Sequence, residues 1–346
     1  MRVAGAGSSG PQKGRLFRLV GSGCKEVMRF EEVVLEKQSC PLGCPANDEL
    51  VLVGRDRLHN LPGEFQVVKC RACGLMRTDP RPTAETMGFY YPDDYGPYLT
   101  TRVAPAELNA PTPLLWERVA RRVIELNVVR VPRLPPGRML EVGCASGSFL
   151  HRKASQGWQV KGIEFSQSAA TEARSLGYPV YSGSLESAND DANSYHLVVG
   201  WMVLEHLHDP IKALRKLREW SRPDAWLALS VPNANSVEFP LFESAWYALH
   251  LPNHLYHFTP RTLADVLHRA GWRMERIFYH RDVGNIVASL GYLLEDQRLF
   301  PRLAQKLRGF PANRGRKHVP LLPLSYFLSA IRQTGNMTVW ARPIND

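Results

Sequence analysis

The chain has 346 residues, of which 44% are hydrophobic, and a formal net charge of +10 at pH 7. This length allows one large core and a small satellite domain, and the charge favours anionic partners (nucleotides, phosphorylated sugars, nucleic acid or a membrane surface) unless the basic side chains are simply solvated. The 6 cysteines include two close pairs, which argues against a secreted disulfide framework and for a reducing cytoplasm. No apolar run approaches the ~20 residues that cross a bilayer, so we expect no transmembrane segment.

Residues 1–28 are basic, rich in glycine and serine, and lack the apolar core of a signal peptide, so they predict a disordered extension. Two cysteine pairs follow, Cys40 with Cys44 and Cys70 with Cys73, each near a strand-like segment. Four thiolates in two tight turns suit one tetrahedral Zn²⁺, which would be structural because no coordination position stays open. The alternative is a set of reduced, metal-free cysteines.

A stretch rich in proline and tyrosine comes next and includes Tyr90, Tyr91 and Tyr95. These rings would pack the cysteine-containing part onto the rest of the protein. A proline-rich linker at 105–113 then leads to an amphipathic helix over 114–124 with a basic outer face.

The stretch 138–150 combines a short apolar strand, a turn of small residues and the opening of a helix. Gly143 and Gly147 remove side chains that would keep a ligand away from the backbone, and the free N–H groups of the helix point back at the turn. The next strand, 159–165, carries Glu164 near its end, where a carboxylate is placed to bind ribose hydroxyls. We therefore expect a nucleotide-like ligand at this turn.

Together the strand, the acid and the turn resemble the first motif of the class I S-adenosyl-L-methionine (SAM)-dependent methyltransferases, with Ala145 at the middle glycine of Gly-x-Gly-x-Gly. A dinucleotide fold fits less well, because no glycine stands at the helix position of that fingerprint. The resemblance implies a doubly wound α/β fold with a seven-stranded, mostly parallel sheet, and SAM as cofactor. The donor-binding residues that it implies are Glu141, Gly143, Ala145, Gly147, Glu164, Phe165, Leu185 and Met202.

The N-terminal part resembles the zinc-ribbon module of a bacterial methyltransferase group that includes C-methyltransferases of nucleotide-linked sugars. In that group the tyrosine-rich segment helps to cover the substrate, and a helix at the position of 114–124 covers the donor pocket. We therefore divide the chain into the extension at 1–28, a zinc-ribbon module with the tyrosine-rich segment at 29–104, and a methyltransferase domain at 105–346 with a basic insert at about 283–333.

The strand 195–201 is continuously apolar, which indicates a buried parallel strand. It runs into the segment 204–210, Leu-Glu-His-Leu-His-Asp-Pro, which strongly resembles a family segment that passes over the sulfonium end of the donor. His206 lies at the carboxyl end of this central strand, where ligands gather. Its imidazole would take a proton from an acceptor hydroxyl, or would instead cap the loop or pack on the donor.

A second candidate, His254, follows Asn253 in an aromatic insert. In the resembling family this histidine faces the acceptor, and in the sugar C-methyltransferases a Glu-His pair is implicated in removing the acceptor proton. Asn253 replaces that glutamate, which weakens the case for methylation of carbon. A hydroxyl acceptor is then supported at least as well as a carbon acceptor. The alternative role of His254 is a hydrogen bond that anchors the loop.

The last part of the chain completes the sheet, with 336–342 resembling the antiparallel seventh strand. Four roles are open for the basic insert before it: a helical lid, a binding site for a phosphate group of the acceptor, a helix that binds weakly to a membrane surface, or a pair of solvated helices.

The sequence thus predicts in-line transfer of a methyl group from SAM to a small-molecule acceptor, namely a hydroxyl of a saccharide or a nucleotide-sugar-like compound. His254 and then His206 are the candidate general bases. The alternatives are a sugar C-methyltransferase, a nucleic-acid methyltransferase and a non-catalytic SAM-binding protein. Nucleic acid is not the expected partner, because the Asp/Asn-Pro-Pro-Tyr/Phe motif of amino-methylating enzymes does not follow strand 195–201.

Overall fold

The computed structural model describes residues 29–92, 129–312 and 315–345. The extension 1–28, Tyr95, the linker and the helix expected over 114–124 lie outside these described residues.

The strands of the described residues are numbered here in chain order. They are β1 (Leu35–Glu36), β2 (Asp48–Arg55), β3 (Glu64–Cys70), β4 (Met76–Thr78), β5 (Arg81–Pro82), β6 (Arg138–Val142), β7 (Gln159–Glu164), β8 (Val180–Ser182), β9 (Tyr195–Trp201), β10 (Ser221–Pro232), β11 (Tyr256–His257), β12 (Trp272–Tyr279) and β13 (Asn336–Pro343). The α-helices are α1 (Ser148–Ala154), α2 (Gln167–Ser175), α3 (Pro210–Trp220), α4 (Glu238–Phe242), α5 (Pro260–Arg269), α6 (Gly284–Asp296), α7 (Pro301–Arg308) and α8 (Leu322–Ala330). Short 3₁₀ turns cover Phe30–Glu32, Met87–Tyr90, Leu204–His206, Glu243–Ala245, Tyr247–Leu249 and Gly315–Leu321.

The central sheet has seven strands in the order β12-β13-β10-β9-β6-β7-β8. Strands β6 to β10 pair in parallel, and β13 pairs antiparallel with both β10 and β12. The order reverses at β6, so the carboxyl ends of β6 and β9 flank the crevice where ligands bind in doubly wound sheets. The predicted fold class and the antiparallel last strand are confirmed.

Both faces of this sheet are covered, as the apolar sequence of β9 requires. Leu197 and Val199 face one buried cluster with Met139 and Leu150, while Val198 belongs to the cluster on the opposite face. The flanking helices begin at strong caps. Asp209 accepts the N–H of Lys212 at the start of α3, and Thr259 caps α5, where Pro260 occupies the first turn.

A smaller antiparallel sheet, in the order β11-β4-β3-β2, combines strands that are distant in sequence. Three of them precede the central sheet, but β11 comes from the segment that carries His254, and it pairs with β4 through Tyr256 and Arg77. Thr78 also donates its N–H to the carbonyl of Leu255 at 3.0 Å. This pairing fixes the cysteine-containing region against the segment that carries His254.

The basic insert forms helices α6, α7 and α8, with α6 packed on α7. In the described part of the chain no helix has the length and apolar character needed to cross a membrane.

Candidate active site

The turn after β6 brings backbone close to a cavity at the carboxyl edge of the sheet. Gly143 has φ +69°, and a Cβ there would lie 2.5 Å from Cγ2 of Val203. Ala145 also has a positive φ, +44°, although it is not glycine, so this turn is strained in a way common at binding sites. Gly147, at φ +85°, is the N-cap of α1 and packs on Ala173.

Glu164, at the end of β7, holds the turn in this shape. Its Oε2 accepts the N–H of Ala145 at 2.8 Å, and its Oε1 accepts the N–H of Ser166 at 2.7 Å. The carboxylate is buried in protein yet lines the cavity. Each oxygen keeps a second lone pair, so the group can accept ribose hydroxyls while it fixes the turn.

Glu141 is the second buried acid beside the turn. Its Oε2 accepts no hydrogen bond from any described residue, and burial raises the pKa of the carboxyl well above its ordinary value. A buried acceptor without a partner is costly unless a ligand satisfies it. The cationic ammonium of SAM fits this carboxyl, and the open backbone at Gly143 fits a ligand pressed against the turn.

The cavity has a volume of about 1250 Å³ and continues from the turn to a cluster of histidines. Of the predicted donor-binding residues, Gly147 is not among those that line the cavity, and it approaches Ala173 of α2 instead. The others line the cavity: Glu141, Gly143, Ala145, Glu164, Phe165, Leu185 and Met202.

Both predicted bases, His206 and His254, line the same cavity, and their rings are 4.6 Å apart. Nδ1 of His206 lies 3.0 Å from the carbonyl oxygen of Asn253 and 2.8 Å from the hydroxyl of Tyr91. Because a carbonyl oxygen only accepts, Nδ1 of His206 carries the proton and Nε2 carries the lone pair. Burial lowers the pKa of His206 to about 4, so the ring is a neutral base at pH 7.

His254 has the same tautomer. Its Nδ1 donates to the carbonyl of Ala248 at 2.9 Å, so its Nε2 bears the lone pair. That nitrogen already accepts from Nδ1 of His250 at 3.3 Å. Burial, together with the neighbouring imidazoles, holds the pKa of His254 well below its ordinary value.

Sequence reasoning missed two members of this cluster. Glu205 is fully buried, and its Oε1 lies 3.9 Å from Nε2 of His254. His250 has a left-handed backbone, φ +43°, which holds its ring against His254. The signal for Glu205 was present, since it precedes His206 in the Leu-Glu-His segment, but only the fold shows that it meets His254.

The four predicted zinc ligands come together beside the smaller sheet. The sulfur atoms of Cys40, Cys44, Cys70 and Cys73 all lie within 4.8 Å of one another, and those of Cys40 and Cys73 are 3.5 Å apart. A buried Arg77 supports the first pair, because it donates to the carbonyl of Gln38 at 2.9 Å and to both oxygens of Asp48. Four thiols at this spacing are the donor set of a structural zinc site.

Comparison with known proteins agrees with this geometry. A family model described as "Methyltransferase domain" matches residues 115–277. The chain is 30% identical over 172 residues to the ubiquinone biosynthesis O-methyltransferase of Xanthomonas axonopodis pv. citri, a match that covers 44% of this chain and 72% of that protein. It is also 31% identical over 128 residues to the protein of the same name from Nitrosospira multiformis. This match covers 33% of this chain and 54% of that relative, so the chain spans only about half of its length.

Among solved structures, a SAM-dependent methyltransferase from Mesorhizobium loti is 16% identical, with a TM-score of 0.41, and the match covers 68% of this chain and 99% of that one. The match to the methyltransferase domain and the 30% identity to a relative, of which the chain covers 72%, show that the chain belongs to the class I SAM-dependent methyltransferases.

Proposed function

We propose that this chain transfers the methyl group of SAM to a hydroxyl group of a small molecule, and that the acceptor is a saccharide or a nucleotide-linked sugar. The observation that carries the proposal is that one cavity joins the glycine turn to two imidazoles, those of His206 and His254, both neutral at pH 7. Its volume of about 1250 Å³ exceeds the ~300–1,000 Å³ of typical ligand pockets, which leaves room for an acceptor beside the donor.

When bound, SAM supplies a methyl group that its sulfonium already activates. The protein then has mainly to align the acceptor oxygen with that methyl group and to exclude water. The backbone at Gly143 allows close approach, Glu164 would accept the ribose hydroxyls, and Glu141 would pair with the ammonium group. The remaining walls of this end are Phe165, Leu185 and Met202.

A general base raises the rate of such a transfer by about 10²–10⁴. Nε2 of His206 has a lone pair and makes no hydrogen bond within the described ranges, whereas Nε2 of His254 already accepts from His250. This supports His206 as the residue that takes the acceptor proton, with His254 beside it. The hydroxyl of Tyr91 and the carbonyl of Asn253 hold the His206 ring in place.

Two observations bear on the acceptor. Arg57 and Arg308 both line the far end of the cavity and lie 5.5 and 5.9 Å from the ring of Tyr292. Each already pairs with an acid, Asp296 and Glu295 respectively, but a guanidinium group has five N–H donors and can also donate to an acceptor that carries phosphate. The names of the relatives support methylation on oxygen but point to a second candidate, a phenolic precursor of ubiquinone.

The test is to incubate the purified full chain with SAM labelled in the methyl group and to locate the label by NMR. The acceptors are a panel of nucleoside-diphosphate sugars and a panel of dihydroxybenzoates. Label on a sugar oxygen supports the proposal, and label on a phenolic oxygen replaces the sugar by the second candidate. Label on carbon or nitrogen, or no transfer to either panel, overturns it.

The proposal includes a structural Zn²⁺ on the four cysteines of the 29–104 module, in a chain that works in a reducing cytoplasm. No disulfide joins any of the five cysteines that the structure describes, which fits that compartment. Metal analysis of the purified chain should give one zinc per chain, and a Cys70→Ser variant should lose it and unfold at lower temperature. Stoichiometric zinc in Cys70→Ser would contradict this site.

A further inference from the structure

Glu205 is a buried acid whose carboxyl group is left without a hydrogen bond. Neither Oε1 nor Oε2 has a partner among the described residues, although the side chain has no solvent exposure. Such a group lowers stability, and natural proteins keep one mainly where it serves a function. Its surroundings therefore indicate what that function is.

The carboxyl lies close to both imidazoles. One oxygen of Glu205, one nitrogen of His206 and one nitrogen of His254 all lie within 4.8 Å of one another. The 3₁₀ turn after β9 brings Glu205 and His206 together, and the carbonyl of Glu205 accepts the N–H of Leu255, which ties this turn to the His254 segment.

Asn253, the neighbour of His254 in sequence, cannot serve as an acid here. It is buried, and its Nδ2 donates to the carbonyl of Tyr90 at 2.8 Å, so it holds the tyrosine-rich segment in place. The carboxylate nearest to His254 is thus supplied by another element of the fold.

We propose that Glu205 is a positioning residue for the methyl transfer, which acts through His206: its carboxylate balances the positive charge of the imidazolium that forms. This inference rests on the proposed function. As the C–O bond forms and the S–C bond breaks, the acceptor proton moves to Nε2 of His206. The positive charge passes from sulfonium to imidazolium, Glu205 ends as it began, and the proton leaves to solvent with the product.

The electrostatics of the cluster agree with this role. Burial raises the pKa of Glu205 to about 8, so the carboxyl holds a proton near neutral pH when no cation is close. A sulfonium or an imidazolium within a few ångströms favours the ionised form. The titratable groups around it are His206 on its own turn, His250 and His254 on the facing segment, and Tyr91 from the N-terminal part.

The test compares Glu205→Gln with the wild-type chain. Gln keeps the shape but cannot ionise, so we expect unchanged SAM affinity by calorimetry, a melting temperature equal to or above that of the wild type, and a kcat lower by about 10–100-fold. In the wild type, kcat/KM for SAM should rise with pH toward 8, and in Glu205→Gln this rise should disappear.

A Glu238→Gln variant is the control, because Glu238 is also buried but hydrogen-bonds to Trp246 and Gly335. It should lower stability and keep the pH rise.

A second variant, Glu205→Ala, leaves a space that a small carboxylate can fill. Added formate should restore part of its activity, which a purely structural residue would not allow. A kcat of Glu205→Gln within twofold of the wild type, or loss of SAM binding, or no formate rescue, overturns the inference. So does wild-type activity that EDTA abolishes and Mg²⁺ restores, because the three residues would then be cation ligands. If the wild type methylates no hydroxyl, the proposed function fails first and takes this inference with it.

Discussion

The two ends of the cavity use buried glutamates in opposite ways. At the end beside the glycine turn, the proposed donor end, both oxygens of Glu164 accept backbone N–H groups, so the acid holds the turn together. At the histidine end, where we propose that the acceptor binds, neither oxygen of Glu205 has a hydrogen-bond partner in the part of the chain that the structure describes. Glu164 therefore stabilises the fold, whereas the fold only tolerates Glu205. Replacing Glu164 should lower the stability, and replacing Glu205 should not.

The largest expected effect is on the stability of Glu164→Ala. The substitution leaves the N–H groups of Ala145 and Ser166 without their acceptor. Each such N–H that is buried lowers the free energy of unfolding by about 1–3 kcal/mol. We expect thermal unfolding at clearly lower temperature and no measurable SAM binding. Glu205→Gln is the matched comparison, because it changes an equally buried acid that accepts no such N–H. Equal melting temperatures for the two variants would break the contrast between the two ends.

The pH dependence of stability tests the same contrast. Burial lowers the pKa of His206 to about 4 and those of His250 and His257 to about 3, so between pH 4 and 6.5 the unfolded chain binds more protons and stability rises with pH. Burial raises the pKa of Glu205 to about 8 and that of Glu238 to about 7 from an ordinary 4.5. The folded chain then holds the extra protons, and stability falls as pH rises from 4.5 to 8. Because only the acids titrate above pH 6.5, we expect maximum stability near that pH.

Glu205→Gln should match the stability of the wild type near pH 4.5 and exceed it above pH 7, by on the order of 1–3 kcal/mol. Urea unfolding curves at both pH values measure this difference. A variant that is less stable than the wild type at pH 8 would mean that the carboxylate is satisfied in the folded protein.

A third prediction concerns the backbone of the donor turn. In Gly143→Ala the new Cβ collides with Val203 and must also adopt a positive φ, so we expect SAM affinity to fall by at least about tenfold. The control is Gly177→Ala, because Gly177 has a similar φ of +87°, lies outside the cavity, and has nothing within 4 Å of the position of a Cβ. Calorimetry should show SAM binding by Gly177→Ala and weakened binding by Gly143→Ala. Similar losses would attribute the effect to backbone strain alone.

The same contrast explains how far the sequence could predict the molecule. The donor end is local: its strand, turn and acid lie within about one βαβ unit, so spacing alone indicates it. The seven-stranded sheet follows from the same repeated pattern. The histidine end combines residues from three separate segments, which carry Tyr91, Glu205, and His250 with His254. Their meeting depends on the pairing of β11 with β4, which no periodicity reveals, since β11 is only two residues long.

The smallest expected effect is at the far end of the cavity. Arg308 lines it beside Tyr292 and pairs with Glu295 at 3.1 Å, whereas Arg302 lies exposed on the outside of α7. If the acceptor carries phosphate, Arg308→Ala should raise its KM by about 3–10-fold with little change in kcat, because the lost contact is made equally before and during transfer. Arg302→Ala should leave both constants unchanged. If both substitutions raised KM equally, the basic insert would act by long-range electrostatic attraction of the acceptor rather than by direct contact. An increase in KM that is due to lost long-range attraction would disappear at high salt.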